Sequence, residues 1–516
     1  MMSKFHNMHS INVQVSALLF IFVSLVTFFI LDLYVFCFIF MLVGPFVGVF
    51  LLLLHPNNHL EMCKALCLMV SCIIFIASLL VWFSFDYNTL FFQYNIELNG
   101  LHILGIHNVV GVDGFNIYLI LLTTFLTPVC ILIGWTSINE HVKGYLISFL
   151  ILEGFLLNAL CVLDILLFYA FFESVLIPMY IIIGVWGSRQ RKIRAAYQIF
   201  LYTLTGSVTM FLAILMIYFE TGATNLQILR HAEFTEKQQI FLWLAFFVSF
   251  AVKIPMIPFH IWLPEAHAEA PTAGSVILAG VLLKLGGYGF LRFSLPLFPL
   301  ASVYFKPLVF TLSIIAVTYG SLTTLRQTDF KKIIAYSSIA HMGLVTLGLF
   351  SGSLTGLIGS LFVMFSHGIV SSGLFICAGV LYDRYKTRTL KYYGGVAYTM
   401  PLFTILFFCF ILANMGFPGT LSFVGEFLVL LGLFETQPIV CVLAGLIMIL
   451  GAAFSLWLFN RLCFGILKTE YIIFFQDISR REFWILAPLF FLTVFLGILP
   501  NYFLDIIYFM SLSLFV

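Results

Sequence analysis

The chain has 516 residues, of which 62% are hydrophobic and 9% are charged, whereas a soluble globular protein carries about 25% charged residues. Its 24 Lys and Arg residues nearly balance its 22 Asp and Glu residues, so it lacks the basic surface of a nucleic-acid-binding protein. The high hydrophobic fraction also excludes a disordered chain. This composition predicts an all-α polytopic membrane protein.

The apolar runs predict about 14 transmembrane helices, because one span needs about 20 consecutive apolar residues. A further apolar segment at 16–31 predicts a possible extra N-terminal helix. In chain order the predicted helices are α1 34–54, α2 62–84, α3 113–135, α4 144–162, α5 164–186, α6 194–219, α7 239–263, α8 275–293, α9 304–325, α10 332–350, α11 355–381, α12 399–434, α13 438–463 and α14 483–510.

The basic residues support this order of helices. Seventeen of the 24 Lys and Arg residues belong to the loops that follow odd-numbered helices, and only four belong to the loops that follow even-numbered ones. Loops that stay on the cytoplasmic side of a membrane are enriched in Lys and Arg. The distribution therefore predicts that the odd-numbered loops face the matrix or cytoplasm.

Several ionisable residues fall inside the predicted helices, where a charge costs at least about 2.5–3.5 kcal/mol. Each could be a structural ion-pair partner or a polar packing residue. Together, spread over six or seven helices, they favour a relay over a single catalytic pocket. Asp164 differs from them because it stands at a predicted helix start. A negative charge there is stabilised by the helix dipole. The residues inside helices are Glu153, Glu173, Lys253, Lys284, His341, His367 and Glu426.

Helix α7 is predicted to be discontinuous. Lys253 stands beside Pro255 and Pro258, and a proline has no N–H group to bond the carbonyl four residues earlier. The carbonyls of Ala251 and Ile254 should therefore be free and should flank the Lys253 ammonium. Polar backbone at this depth must be satisfied by protein or by water in a cavity.

Helix α12 is the second discontinuous helix. Asn414, Gly416 and Pro418 interrupt it, and Glu426 follows. Interrupted helices in corresponding positions of two halves are typical of inverted-repeat transporters. The sequence thus predicts two inverted five-helix repeats.

Long motifs occur in a fixed order along the chain: LLFYAFFESVLIPMY, FAVKIPMIPFHIWLPEAHAEAP, DFKKIIAYSSIAHMG, MFSHGIVSSGLF and GFPGTLSFVGEF. With these motifs the chain resembles the chain 4 family of NADH:ubiquinone oxidoreductase (respiratory complex I). These are antiporter-like subunits of the membrane arm, and their bacterial counterpart is chain M. The resemblance covers roughly residues 34–510.

The resemblance implies a domain organisation and a function. It implies that the chain couples quinone reduction elsewhere in the complex to proton transfer, with no redox chemistry of its own. The implied regions are an N-terminal extension (1–33), helices α1–α3 (34–143), repeat one with α4–α8 (144–303), repeat two with α9–α13 (304–463), and a C-terminal region with α14 (464–516).

The resemblance also implies roles for individual residues in a proton relay. Glu173 would pair with Lys253, Lys284 would lead to His367, and Glu426 would release the proton. His341 lies near that path, and Glu153 is not among the family's central residues, so both are secondary. The implied relay set is Glu173, Lys253, Lys284, His367 and Glu426, with helix breaks at Pro255, Pro258 and Pro418.

The sequence predicts no cofactor on this chain, because its ten cysteines include no CxxC pair and it has no dinucleotide-binding or phosphate-binding glycine motif. The resemblance places NADH, FMN, iron–sulfur clusters and ubiquinone on other subunits. It implies chains 2 and 5 as neighbours, together with accessory subunits and lipids such as cardiolipin. The 61 phenylalanines and the family favour the mitochondrial inner membrane.

Two other functions remain open from the sequence. The chain could be a subunit of a multi-subunit cation/proton antiporter or of a membrane-bound hydrogenase, since these share the relay chemistry. It could also be a purely structural element of a membrane arm. The number of ionisable residues at membrane depth argues against the structural alternative, because structure alone does not require their desolvation.

Overall fold

The computed structural model describes residues 33–56, 59–89, 91–98, 108–468, 471–472 and 475–512. The predicted N-terminal extension lies outside this part of the chain except for its last residue, and so does the possible extra helix at 16–31. Twelve helices of the described residues are long and apolar enough to cross a membrane. They are α1 Leu33–Leu54, α2 Leu60–Phe83, α3 Ile117–Ser137, α4 Val142–Cys161, α5 Ile165–Trp186, α6 Lys192–Thr221, α8 Thr272–Leu297, α9 Lys306–Arg326, α10 Phe330–Leu349, α11 Leu354–Tyr385, α13 Pro438–Cys463 and α14 Arg480–Ile498.

The other two predicted helices are discontinuous, as the prolines and glycines indicated. Helix α7 consists of Glu236–Lys253 and Trp262–Glu269. Helix α12 consists of Pro401–Asn414 and Leu421–Thr436. The prediction of a polytopic helical protein with two broken helices is therefore confirmed.

One of the two carbonyls at the α7 break does not behave as predicted. The Ala251 oxygen accepts a hydrogen bond of 2.9 Å from the backbone N–H of Met256, so it is not free beside Lys253. The indole N–H of Trp262 donates to the Val252 oxygen at 3.0 Å. The chain after the break thus supplies donors to these two carbonyls, and polar backbone in a membrane interior needs such partners.

The structure also has a strand pair and a C-terminal interruption that were not predicted. Between α2 and α3, strands β1 (Gln93–Leu98) and β2 (Asn108–Val112) form an antiparallel pair, so the fold is not purely helical. The predicted α14 continued to residue 510, but it ends at Ile498, and a separate helix α15 follows at Asn501–Leu512. Pro500 explains this interruption, because it cannot donate the N–H that continuation would need. Single turns of helix lie at Leu226–Leu229, Pro299–Tyr304, Leu390–Tyr392 and Val396–Thr399.

Helices α8 and α11 lie at the centre of the bundle, and the most apolar eighteen residues of each are all buried. Helix α8 contains two π-helical segments, Leu278–Leu282 and Phe290–Ser294. Such widened turns are rare and frequently occur at functional sites. They flank the short α-helical segment Leu283–Gly289, which carries Lys284.

The loops after odd-numbered helices gather at one face of the bundle, which we call the odd face. Lys143 at the start of α4 donates to the His55 oxygen at 2.8 Å, and the Ser188 N–H donates to the Glu269 oxygen at 3.0 Å. The opposite end, with the loops after even-numbered helices, is the even face. There the Leu163 N–H donates to the Val109 oxygen at 2.9 Å.

Candidate functional site

Lys284 and His367 contact each other directly, although they lie on the two central helices. The Lys284 Nζ and the His367 Nδ1 are 2.8 Å apart, and both side chains are buried. The Lys284 ammonium also donates to the carbonyl oxygen of Ala279, in the preceding π-helical segment. A protonated lysine has only donors, so it donates to a neutral His367 ring. Proton movement along this bond leaves a neutral amine and an imidazolium.

His341 connects His367 with Glu426. The centres of the two imidazole rings are 5.8 Å apart, and the His341 Nδ1 lies 3.1 Å from the Glu426 Oε1. A cavity of about 10 Å³ adjoins these groups, which is room for about one water molecule. Its polar lining consists of His341, Ser366, His367, Asn414, Ser422 and Glu426.

Lys284, His367, His341 and Glu426 therefore form a continuous series of ionisable side chains, which we call the polar row. It runs from α8 through α11 and α10 to the second segment of α12. All four side chains are at least nine-tenths buried. Sequence reasoning named each of these residues, and the structure brings them together.

The α12 break makes room for the Glu426 carboxylate. Gly416 has a φ of +70°, a conformation that glycine adopts without strain. A Cβ at this position would lie 2.6 Å from the Glu426 Oε2. In the same break, the Ser422 hydroxyl donates to the Ala413 carbonyl oxygen. One Glu426 carboxylate oxygen thus lies close to the interrupted backbone, while the other faces His341.

Lys253 ends the first segment of α7 and is buried. Its Nζ donates to the Phe172 carbonyl oxygen at 3.1 Å and lies 3.9 Å from the centre of the Phe172 ring. Neither carboxylate oxygen of the next residue, Glu173, has a hydrogen-bond partner among the described residues. The direct Glu173–Lys253 pair is therefore not formed here, because a carbonyl dipole and an aromatic face hold the ammonium instead.

Gly286 allows α8 to approach α7 closely beside Lys253. A Cβ on Gly286 would lie 2.7 Å from a side-chain carbon of Ile254, 3.0 Å from the Phe250 oxygen and 3.1 Å from the Lys253 Cβ. Since Gly286 is two residues from Lys284, this contact sets the separation of the two buried lysines.

We predict that Gly286→Ala separates α7 from α8 and destabilises the protein by about 1–3 kcal/mol, the usual range for overpacking. The matched control is Gly451→Ala on α13, where an added Cβ would meet no atom within 4 Å. Thermal unfolding of the detergent-extracted protein in its native assembly provides the measurement. Equal melting temperatures for the two variants would show that α7 and α8 are not tightly packed at this point.

Glu153 lies apart from the polar row. Its Oε1 accepts a hydrogen bond of 2.8 Å from the Thr127 hydroxyl, while its Oε2 has no partner in the described part of the chain. The structure therefore does not join Glu153 to the other candidates. Asp164 behaves as predicted: it caps the start of α5, where its carboxylate accepts from the N–H groups of Leu166 and Leu167.

Sequence reasoning missed a group of buried ionisable residues at the odd face. Arg388 and Glu269 form an ion pair with an N–O distance of 3.3 Å, and Lys331 donates to the Ala270 oxygen at 2.9 Å. His267 is also fully buried. The predicted bounds of α10 (332–350) and α11 (355–381) place Lys331 and Arg388 in loops, and basic residues at helix ends usually lie at the membrane surface. Their burial follows from loop packing, which the sequence does not reveal.

A second buried pair was missed at the even face. Arg292 lies at the end of the predicted α8 (275–293) and counts among the four basic residues on the even side, but in the structure it is buried in the second π-helical segment. Its Nη1 and Nη2 lie 2.5 and 2.7 Å from the two Asp113 carboxylate oxygens. Asp113 is part of the GVDG motif before α3, and an acidic residue in an apolar stretch was the signal available for it.

Comparisons with known proteins give a consistent result. Residues 163–451 match the model of the family described as NADH:quinone oxidoreductase/Mrp antiporter, TM. A relative from Chondrus crispus, NADH-ubiquinone oxidoreductase chain 4, is 60% identical over 470 residues, which cover 91% of this chain and 96% of the relative.

Two solved structures have similar folds. A chain of respiratory complex I from Thermus thermophilus is 29% identical, with a TM-score of 0.84, covering 92% of this chain and 98% of that one. A chain of the Mrp complex from Dietzia sp. is 18% identical, with a TM-score of 0.83, covering 94% of this chain and 98% of that one. The second likeness concerns the fold alone.

Proposed function

Because the chain belongs to the NADH:quinone oxidoreductase/Mrp antiporter family, and within it to the chain 4 subunits of NADH-ubiquinone oxidoreductase, we propose that it moves protons along its polar row. It is a multi-span membrane subunit of respiratory complex I, a proton-translocating oxidoreductase, and its partners are other subunits of that complex. The alternative of a stand-alone antiporter subunit draws on the family description, which includes Mrp antiporters, and on a likeness of fold.

One observation carries the proposed path: two direct contacts between ionisable groups lie in series, Lys284 with His367 and His341 with Glu426. The Lys284 ammonium gives its proton to the His367 Nδ1. The imidazolium then releases a proton from its other nitrogen to His341 through the small cavity between them. His341 passes a proton from its Nδ1 to the Glu426 carboxylate, which releases it.

Lys253 supplies the preceding step in this proposal. Its ammonium rests on the Phe172 oxygen, one residue from the Glu173 carboxylate. A charge change in a neighbouring subunit would shift the ammonium between these two acceptors. Moving it toward Glu173 favours the charged lysine, whereas moving it away favours release of its proton toward Lys284.

The location and partners follow from the same family. We place the chain in the mitochondrial inner membrane, with the odd face on the matrix side and Glu426 releasing protons toward the even face. Chains 2 and 5 are the proposed neighbours, with accessory subunits and cardiolipin at the periphery. NADH, FMN, iron–sulfur clusters and ubiquinone belong to other subunits, so this chain contributes proton transfer. Repeat one (144–303) and repeat two (304–463) are the proposed inverted units.

The test is the variant Lys253→Ala in the intact complex. We expect NADH oxidation coupled to proton pumping to fall sharply, because alanine cannot hold the proton that the row receives. Assembly is checked first, by co-migration of the chain with the NADH-oxidising band in a native gel. Near-normal pumping by a fully assembled variant would refute the proposed function.

A further inference from the structure

The even-face end of α8 carries a buried charge pair that the proposed relay does not use. Arg292 and Asp113 are joined by two short contacts, with side-chain exposures of only 1% and 0%. Arg292 is eight residues beyond Lys284 on the same helix. Tyr288 is the one ionisable residue between them. Along α8, the pair therefore lies between Lys284 and the even-face end of the helix.

Hydrogen bonds occupy the groups around this pair. The Arg292 Nε donates to the Tyr288 hydroxyl at 3.0 Å, and that hydroxyl donates to the Leu160 oxygen at 2.8 Å. The Asp113 Oδ1 also accepts from the backbone N–H groups of Phe115 and Asn116. The Tyr288 hydroxyl and the Asp113 carboxylate already make these hydrogen bonds, so they are poorly suited to accept and pass on a transported proton.

Two arginine side chains lie close together at this end of the helix. Phe92 lies against two guanidinium groups, with its ring centre 5.1 Å from the Arg292 Cζ and 5.8 Å from the Arg230 Cζ. Of the two, Arg292 is buried and pairs with Asp113, and arginine stays protonated at any pH that the protein meets. A fixed arginine charge in a membrane pathway is an electrostatic barrier to protons and cations.

We propose that the Asp113–Arg292 pair is an electrostatic seal that closes the even-face end of α8 to protons. The proton held by Lys284 then leaves only through His367 and the rest of the polar row. Without the seal, the same proton would reach the even face directly along α8 and bypass the coupled steps. Arg292 and Asp113 are positioning residues in this sense, since neither receives the transported proton. The inference rests on the proposed function.

The test uses the double variant Asp113→Asn plus Arg292→Gln in the whole complex, reconstituted in liposomes. Both replacements are neutral and keep hydrogen-bonding groups, so no charge is left buried without a partner. Passive proton influx is measured under an imposed membrane potential with no NADH, and pumping is then measured with NADH. We expect influx several-fold above the wild-type rate, with fewer protons retained per NADH and NADH oxidation maintained.

Two further variants separate the possible outcomes. Adding Lys284→Met to the double variant should abolish the extra influx, because the leak passes through Lys284. Asp164→Asn, a buried even-face carboxylate on α5, should leave influx at the wild-type rate. An assembled double variant with wild-type influx would overturn the seal, and so would a leak that persists without Lys284. Normal pumping by Lys284→Met alone would instead refute the proposed function.

Discussion

A complex that carries Lys284→Met should lose proton transfer through this chain, by about 100-fold or more, the contribution of one positioned acid–base group. Methionine fills a similar volume and leaves the centre of α8 packed. It cannot hold a proton, and it breaks the 2.8 Å contact with His367. Because Lys284 has no acidic partner in the described part of the chain, its removal leaves no buried charge uncompensated.

The control for this variant is Lys237→Met, which removes an exposed lysine from the first turn of α7. Proton uptake and NADH oxidation are measured together in proteoliposomes that contain the purified complex. The control should pump at the wild-type rate. If the two variants pump equally well, Lys284 does not carry the proton.

Glu426→Gln should have an effect of similar size, about 100-fold on proton release. Glutamine preserves the shape beside Gly416, so the α12 break should keep its structure. It cannot accept a proton from the His341 Nδ1, which lies 3.1 Å from the carboxylate in the native chain. Protons should therefore accumulate on the row and should not leave it.

Glu435→Gln is the matched control, because Glu435 lies on the same helical segment but is exposed. Its carboxylate accepts a hydrogen bond from the Thr355 hydroxyl at 3.1 Å. We expect wild-type pumping from this control in an acidification assay of the vesicle lumen. A similar loss in both variants would point to a defect of the segment as a whole, contrary to a specific role for Glu426.

Much of the fold could be predicted because membrane helices follow from local composition. The two broken helices followed from prolines and glycines, whose effect on the backbone is also local. The strands β1 and β2, the π-helical segments of α8 and the end of α14 at Ile498 were not predicted. The strand pairing and the π-helical turns depend on tertiary packing, and the apolar residues beyond Pro500 concealed the end of α14. The inverted relation of the two repeats stays a prediction.

The candidate site was predicted unevenly for a similar reason. Lys284 and Glu426 stood out because a charge in the middle of an apolar run is costly. Arg292, Lys331 and Arg388 did not, because their positions near helix ends also suit residues at the membrane surface. Their burial depends on partners that lie far away in sequence: Asp113 for Arg292, the Ala270 oxygen for Lys331 and Glu269 for Arg388. The partner of Lys253 was also missed, since no pattern indicates that a backbone oxygen would replace the Glu173 carboxylate.

His367 joins the two halves of the polar row, and His367→Gln tests that row most directly. The measurement is the number of protons pumped per NADH oxidised by the reconstituted complex, beside His231→Gln as an exposed control. We predict fewer protons per NADH for His367→Gln and the wild-type number for the control, with equal assembly. An unchanged proton number in assembled His367→Gln complex would contradict the polar row as the proton path.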